Sequence, residues 1–214
     1  MTDLPRLDPE TVADALTDPA RPRPAVAGVL LAGGTSSRFG EANKLLADLD
    51  GDPLVRHAAR TLLAADLDEV VVVLGHEAAA VREALADLDV RFVDNPDYEA
   101  GLSTSVARGV EAAATADAAL FLPGDMPAVD PSTVEALVDA YRAGLATALA
   151  AAYGERRGNP VLFDGRHFDA LRDVDGDVGG RRVLLDGDRS ALVVTDDPGV
   201  VADVDTVADL RRRR

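Results

Sequence analysis

The sequence predicts an α/β fold: a Rossmann-like, mostly parallel sheet with helices on both faces. Three observations carry this expectation. Short apolar runs alternate with amphipathic stretches along most of the chain, the pattern of repeated βα units. Four consecutive valines, Val70 to Val73, leave no polar side for solvent, which suits a strand covered on both faces. The first apolar run stops abruptly at Gly33-Gly34 and gives way to a short polar loop ending in Lys44. Glycines there let backbone N–H groups approach an anion without a Cβ in the way.

Residues 1–24 read as an N-terminal extension, with a short capped helix over 8–16 and an extended Arg21-Pro22-Arg23-Pro24 linker. The domain proper is expected over 25–210. Its first strands fall at 26–32, 69–74, 90–93 and 118–122. Its first helices fall at 53–65, where Leu54, Ala58, Leu62 and Ala65 share a face, and at 76–88, 103–114 and 131–142, the last entered through Pro131. Past residue 152 the rhythm loosens. A short strand is expected at 160–163, helical pieces at 168–172 and 180–186, strands at 191–194 and 200–204, and a last helix at 206–210. Residues 211–214 form a basic tail at a helix C-terminus, where cations are favourable.

Composition narrows the function classes. The 214 residues carry a formal net charge of −16, and the sequence pI is about 4.4. A surface this acidic argues against nucleic-acid or anionic-membrane partners, and a phosphate site must build its own local positive field. Without cysteine there is no disulfide, thiolate metal site or Cys nucleophile. No run approaches a membrane span, and the acidic, proline-rich start lacks a signal-peptide core, so a cytoplasmic location is expected.

Of the 22 basic residues, all but Lys44 are Arg. Lys is a compact point charge where Arg is a planar fork, so a lone Lys in the glycine loop marks a place where Arg will not fit. The loop is neither a Walker A motif nor Gly-x-Gly-x-x-Gly. Arg38 supplies a second charge. Ligands of open α/β sheets bind outside the carboxyl ends of the strands, and the run 118–122 leads directly into Pro123-Gly124-Asp125-Met126-Pro127. Asp125 is therefore the leading candidate to hold Mg²⁺, which prefers one or two carboxylates plus phosphate oxygens. Asp203 and Asp205 are candidate partners, although Asp205 or Thr206 could instead cap the last helix. Asp173-Val174-Asp175-Gly176-Asp177 fails as a calcium loop, because Val178 and Leu184 stand where Gly and Glu are needed. His57, His76 and His167 show no metal spacing, and Gly101 to Ser105 is no nucleophile elbow.

Taken together, residues 26–210 resemble the MobA-like NTP transferases, specifically the molybdenum-cofactor nucleotidyltransferases. The matching blocks are Leu31-Ala32-Gly33-Gly34 with Arg38-Phe39-Gly40 and Asn43-Lys44-Leu45-Leu46; Asn95-Pro96 with Gly101-Leu102; Gly124-Asp125-Met126-Pro127; Gly158-Asn159-Pro160-Val161-Leu162-Phe163; Gly176 to Arg181; and Asp203-Val204-Asp205-Thr206. The resemblance implies a sheet of the nucleotide-diphospho-sugar transferase type. It implies transfer of a nucleoside monophosphate from CTP or GTP to molybdopterin, release of pyrophosphate, and Mg²⁺ as cofactor. Leu31, Ala32, Gly33 and Gly34 would hold the nucleotide by backbone contacts, and Arg38 and Lys44 would neutralise its phosphates. Asn95 and Gly101 would line the base and ribose side, and Asp125 with Asp203 or Asp205 would hold the metal. Gly158, Asn159, Pro160, Asp177 and Arg181 would shape the acceptor pocket. Leu-Ala-Gly-Gly is the form usual in guanylyltransferases, whereas the later blocks look like the cytidylyl branch, and Asn159 stands where His is common. A sugar or polyol phosphate acceptor and a non-catalytic molybdenum-cofactor carrier are the rival readings. A molybdoenzyme or its maturation factor is the implied downstream partner.

Overall fold

The computed structural model describes residues 4–16, 23–35, 39, 43–174, 176 and 180–212. Strand β1 (Arg6–Leu7) and helix α1 (Pro9–Ala15) precede β2 (Val26–Ala32). A 3₁₀ turn (Lys44–Leu46) and a short ribbon of β3 (Asp48–Leu49) and β4 (Asp52–Pro53) lead into α2 (Leu54–Ala64). The chain then alternates through β5 (Glu69–Leu74), α3 (Ala78–Ala84), β6 (Arg91–Asp94), α4 (Leu102–Ala112), β7 (Ala118–Pro123) and α5 (Pro131–Arg142). It finishes with β8 (Ala148–Tyr153), β9 (Arg156–Asp164), α6 (Phe168–Arg172), α7 (Arg181–Asp186), β10 (Ser190–Thr195) and α8 (Val207–Arg211).

The main sheet runs β1-β10-β8-β9-β7-β2-β5-β6. Every neighbouring pair is parallel except those made by β9, which is antiparallel to both β7 and β8. Side chains alternate between two cores, as period-two pleating requires. Val26, Leu30, Leu120 and Leu122 point into the core built with α2, α3 and α5, whereas Val29, Ala119 and Phe121 point into the core built with α4, α6 and α7. The expected mostly parallel sheet, covered on both sides, is the observed fold.

Several elements differ from expectation. The helix expected at 76–88 is confined to Ala78–Ala84, because Glu77 takes a left-handed φ of 50° that cannot continue a helix. The strand expected at 160–163 extends over Arg156–Asp164. The segment 200–204 is not a strand: Asp197 accepts a hydrogen bond from the Gly199 N–H and starts a 3₁₀ turn over Pro198–Val201. Residues 4–16 do not hang free. The β1 strand pairs with β10, and α1 packs against α5 with Val12 buried.

The β9 strand carries a bulge near its start. Ala150 pairs with Val161 and Ala152 with Arg157, so Gly158, Asn159 and Pro160 oppose Ala151 alone. Proline lacks an N–H, and a bulge is where a strand interior accepts it. Gly158 is required by a close approach, since a Cβ there would lie 1.9 Å from the Val200 carbonyl oxygen. Gly158→Ala is therefore predicted to destabilise the fold by about 1–3 kcal/mol. The check is a lowered urea midpoint with an unchanged m-value.

Candidate active site

The glycine loop is held by backbone contacts at the strand ends. A Cβ on Gly75 would lie 2.6 Å from the Gly33 oxygen and 2.7 Å from the Gly33 Cα, so the turns after β2 and β5 touch backbone to backbone. The His76 N–H donates to the Gly33 oxygen at 3.3 Å, and the Gly124 N–H donates to the Leu31 oxygen at 2.9 Å. Ala32 and Gly33 are buried, and Gly34 is exposed with nothing crowding its missing Cβ. The strand ends thus present Gly34 to solvent beside the segment that carries Asp125.

Lys44 is set by its neighbours. Asn43 is buried and its Oδ1 accepts from the Leu45 N–H at 3.0 Å, while Leu45 is driven into the core. With both flanking residues fixed, the Lys44 side chain turns toward two carboxylates. Its Nζ lies 2.6 Å from Asp125 Oδ2 and 3.1 Å from Asp205 Oδ1. The Lys44 and Asp125 side chains are 13% and 19% exposed, so solvent screens this pair far less than a surface one. Burial by itself lowers the Lys44 pKa, but the attraction and hydrogen bonds of Asp125 and then Asp205 outweigh it and raise the pKa above its ordinary value. Lys44 is a fixed cation at neutral pH.

Asp205 reaches this cluster because the Val204 N–H donates to the Asp125 backbone oxygen at 2.9 Å. Thr206 caps α8 in a reciprocal box with Asp209, and the Asp205 N–H donates to the same Asp209 carboxylate. The helix cap is thus Thr206, which leaves the Asp205 side chain facing Lys44. Asp203 lies on the exposed side of the segment. Of the two candidate partners of Asp125, Asp205 lies across Lys44 from it and Asp203 does not. Two carboxylate oxygens meeting on one cation are a donor set that a divalent ion accepts, with the remaining positions filled by phosphate oxygens and water.

A pocket of about 250 Å³ opens beside the ends of β2 and β7, where Leu31 and Pro123 line it. Its walls include the buried Val106, Phe121, Phe163 and Leu184. Arg157, Gly158, Asn159 and Arg181 also line it, and Pro160 lies buried behind Asn159. A larger hollow of about 740 Å³ lies at the opposite ends of the strands, around Arg142, Asp164 and Arg166. Its charges are satisfied locally: Arg142 pairs with Asp66 and Asp68, and Arg166 with Asp164.

The structure therefore brings Lys44, Asp125 and Asp205 together, seats Gly33 against the turn after β5, and gathers Gly158, Asn159 and Arg181 around one pocket. Arg38 and Asp177 lie outside the described residues. Asn95 is turned inward: its Nδ2 donates to Thr104 Oγ1 and Ser105 Oγ, and its Oδ1 accepts from the Asp97 N–H. It anchors the loop after β6 to α4. Gly101 caps that helix with a φ of 115°, a conformation that favours glycine. Arg157 is a pocket residue that sequence reasoning missed. Its only sequence signal is its place one residue before the Gly-Asn-Pro block.

Asp205→Asn is predicted to weaken Mn²⁺ binding in the presence of a nucleoside triphosphate by at least about tenfold, the lower end of the loss seen when a metal site's supporting groups are removed. Asp203→Asn should leave the affinity near that of the unaltered chain. Electron paramagnetic resonance of free Mn²⁺ reads both.

The MobA-like NTP transferase domain family matches residues 28–191. The nicotine blue oxidoreductase of Paenarthrobacter nicotinovorans is 36% identical over 199 residues, covering 88% of this chain and 96% of that protein. Among solved structures, a nucleotidyl transferase from Methanothermobacter thermautotroptrophicus superposes with a TM-score of 0.78 and 29% identity, covering 89% of this chain and 96% of that one. A Mycobacterium tuberculosis protein solved in complex with manganese gives a TM-score of 0.72 and 26% identity, covering 88% of this chain and 97% of that one. The sheet order, the glycine loop and the match across most of its length agree: the chain belongs to the MobA-like NTP transferase family.

Proposed function

We propose that this protein is a nucleotidyltransferase that moves a nucleoside monophosphate from CTP or GTP to molybdopterin and releases pyrophosphate. The observation that carries the reading is Lys44, held between Asp125 and Asp205 at the end of the glycine loop. Attack on an α-phosphorus by a phosphate brings two anions together. Catalysis then consists of alignment and offsetting charge.

The residues have separable roles. Gly33 and Gly34 let the triphosphate approach the backbone at the strand ends. Lys44 offsets charge on the phosphates. Asp125 and Asp205 would hold Mg²⁺, which when bound supplies Lewis-acid polarisation of phosphate oxygens. An oxygen of the acceptor phosphate bonds to the α-phosphorus as the bond from that phosphorus to the α–β bridging oxygen breaks. A phosphate monoester is already ionised near neutral pH, so the step needs no general base. Two of the three histidines are in structural contacts: His57 Nε2 lies 2.9 Å from the Leu49 oxygen and His167 Nε2 lies 3.0 Å from Thr147 Oγ1. Arg38 is proposed as a further phosphate contact.

A second reading is favoured by the full-length relative named an oxidoreductase. It would place a redox reaction on the same scaffold. Pyrophosphate release with Mg²⁺ and each nucleoside triphosphate, with and without molybdopterin, separates these readings from one another. Release with CTP or GTP only when molybdopterin is present is the expected result. Release with a sugar or polyol phosphate instead would keep the chemistry and change the acceptor. Electron transfer from an added reductant to an added redox dye, without pyrophosphate release, would favour the redox reading, and nucleotide binding without turnover a carrier. Lys44→Ala is predicted to lower kcat by roughly 10²–10³-fold, the range for removing one preorganised charge-stabilising donor. Circular dichroism and a thermal melt check that the variant still folds.

A further inference from the structure

We propose that Lys44 is the resident cation of the metal position: its ammonium group closes Asp125 and Asp205 to a divalent ion until a triphosphate draws it away. The proposal rests on the nucleotidyltransferase reading and adds to it an order of binding, in which nucleotide opens the metal site.

Three observations support it. The first is occupancy. The Lys44 Nζ lies 2.6 Å from Asp125 Oδ2 and 3.1 Å from Asp205 Oδ1. These are the two carboxylates a divalent ion would take. Both partners of the shorter contact are largely shielded from water. An ion entering with the ammonium in place would meet a weakly screened positive charge at hydrogen-bond distance from its own ligands. Ammonium and ion therefore compete for one position.

The second is the small donor set. Among the described residues, no group of three or more His, Asp or Glu side chains gathers where it could hold a metal. Two carboxylates are a set that Mg²⁺ accepts when phosphate oxygens and water complete its shell. Without a triphosphate, the ion gains two protein ligands and must break two charge-assisted hydrogen bonds of Lys44 to reach them. With a triphosphate, the ammonium receives phosphate oxygens in exchange, and the ion receives further ligands.

The third is the mounting and type of the side chain. Lys44 opens the 3₁₀ turn Lys44–Leu46, between Asn43 and Leu45, which are both buried. The backbone can stay in place while the four-carbon stem swings. An ammonium is a compact point charge that changes anionic partners one hydrogen bond at a time, whereas a guanidinium forks onto a carboxylate in a bidentate pair. Every other basic position of this chain is Arg. Exchange of partners is what calls for lysine here.

The single lysine makes the test direct, because protein grown with ¹⁵N-lysine carries one labelled side-chain ammonium. CTP or GTP in EDTA should shift that signal, as phosphates draw Lys44 off the carboxylates. Nucleotide bound, as its own ³¹P lines report, with the lysine signal unmoved would overturn the proposal. In nucleotide-free protein, Mg²⁺ should displace the lysine signal as it binds, and Mg²⁺ bound beside an unmoved Lys44 would also overturn it. Lys44→Met removes the resident cation. Without nucleotide, this variant should bind Mn²⁺ about tenfold or more tightly than the unaltered chain, the change expected for one charge-assisted hydrogen bond no longer broken. Adding Asp205→Asn should abolish the gain. Equal Mn²⁺ affinity in the Lys44→Met and unaltered chains would contradict the proposal. Circular dichroism checks the fold of the variants, and the lysine signal of the unaltered chain decides the matter if they do not fold. Failure of CTP and GTP to bind would count against the nucleotidyltransferase reading, while the Mn²⁺ comparison would still show whether Lys44 closes the site.

Discussion

One ammonium group between two carboxylates ties together three parts of the chain that are far apart in sequence. Lys44 follows the glycine loop, Asp125 follows β7, and Asp205 precedes α8. Each is positioned by a backbone device. Asn43 and Leu45 clamp the first, the close approach of Gly124 to Leu31 positions the second, and the Val204 hydrogen bond together with the Thr206–Asp209 cap positions the third. Removal of the central cation would leave two partly buried carboxylates facing each other, an arrangement far more costly than loss of a surface pair. The same cluster sets the chain's single lysine at the centre of the site.

The antiparallel strand gives the site its second half. A sheet of parallel strands alone would present loops of one kind at its carboxyl edge. Insertion of β9 between β7 and β8 brings the Gly-Asn-Pro bulge to that edge and opens an apolar pocket beside Leu31 and Pro123. The charged cluster and the apolar side of the pocket thus come from different elements of one fold.

Legibility in the sequence followed the strength of the local pattern. The β2 and β5 strands and the α5 helix were placed to the residue, because continuous apolar runs and a Pro-capped amphipathic helix have few alternatives. Residues 200–204 misled because three valines in five residues mimic a strand, whereas Asp197 and Pro198 start a 3₁₀ turn that local hydrogen bonding decides. The Gly-Asn-Pro block hid the first half of β9, since these residues read as a break and not as a bulge within a strand. Lys44 and Asp125 stood out as singular residues beside glycines. The choice of Asp205 over Asp203 depended on a backbone bond to a residue some eighty positions earlier, which no local pattern encodes. Arg157 was invisible for a similar reason: in a chain with arginine at nearly every basic position, no local pattern marks one that lines the pocket.

The most direct test of the central assignment is a crystal structure with Mn²⁺ and a CTP or GTP analogue that cannot be cleaved between its α- and β-phosphates. Mn²⁺ should be bound by Asp125 and Asp205, with the Lys44 Nζ drawn onto the phosphates and the triphosphate against Gly33-Gly34. A nucleotide bound elsewhere, with Lys44 still closed on both carboxylates and no metal between them, would contradict it.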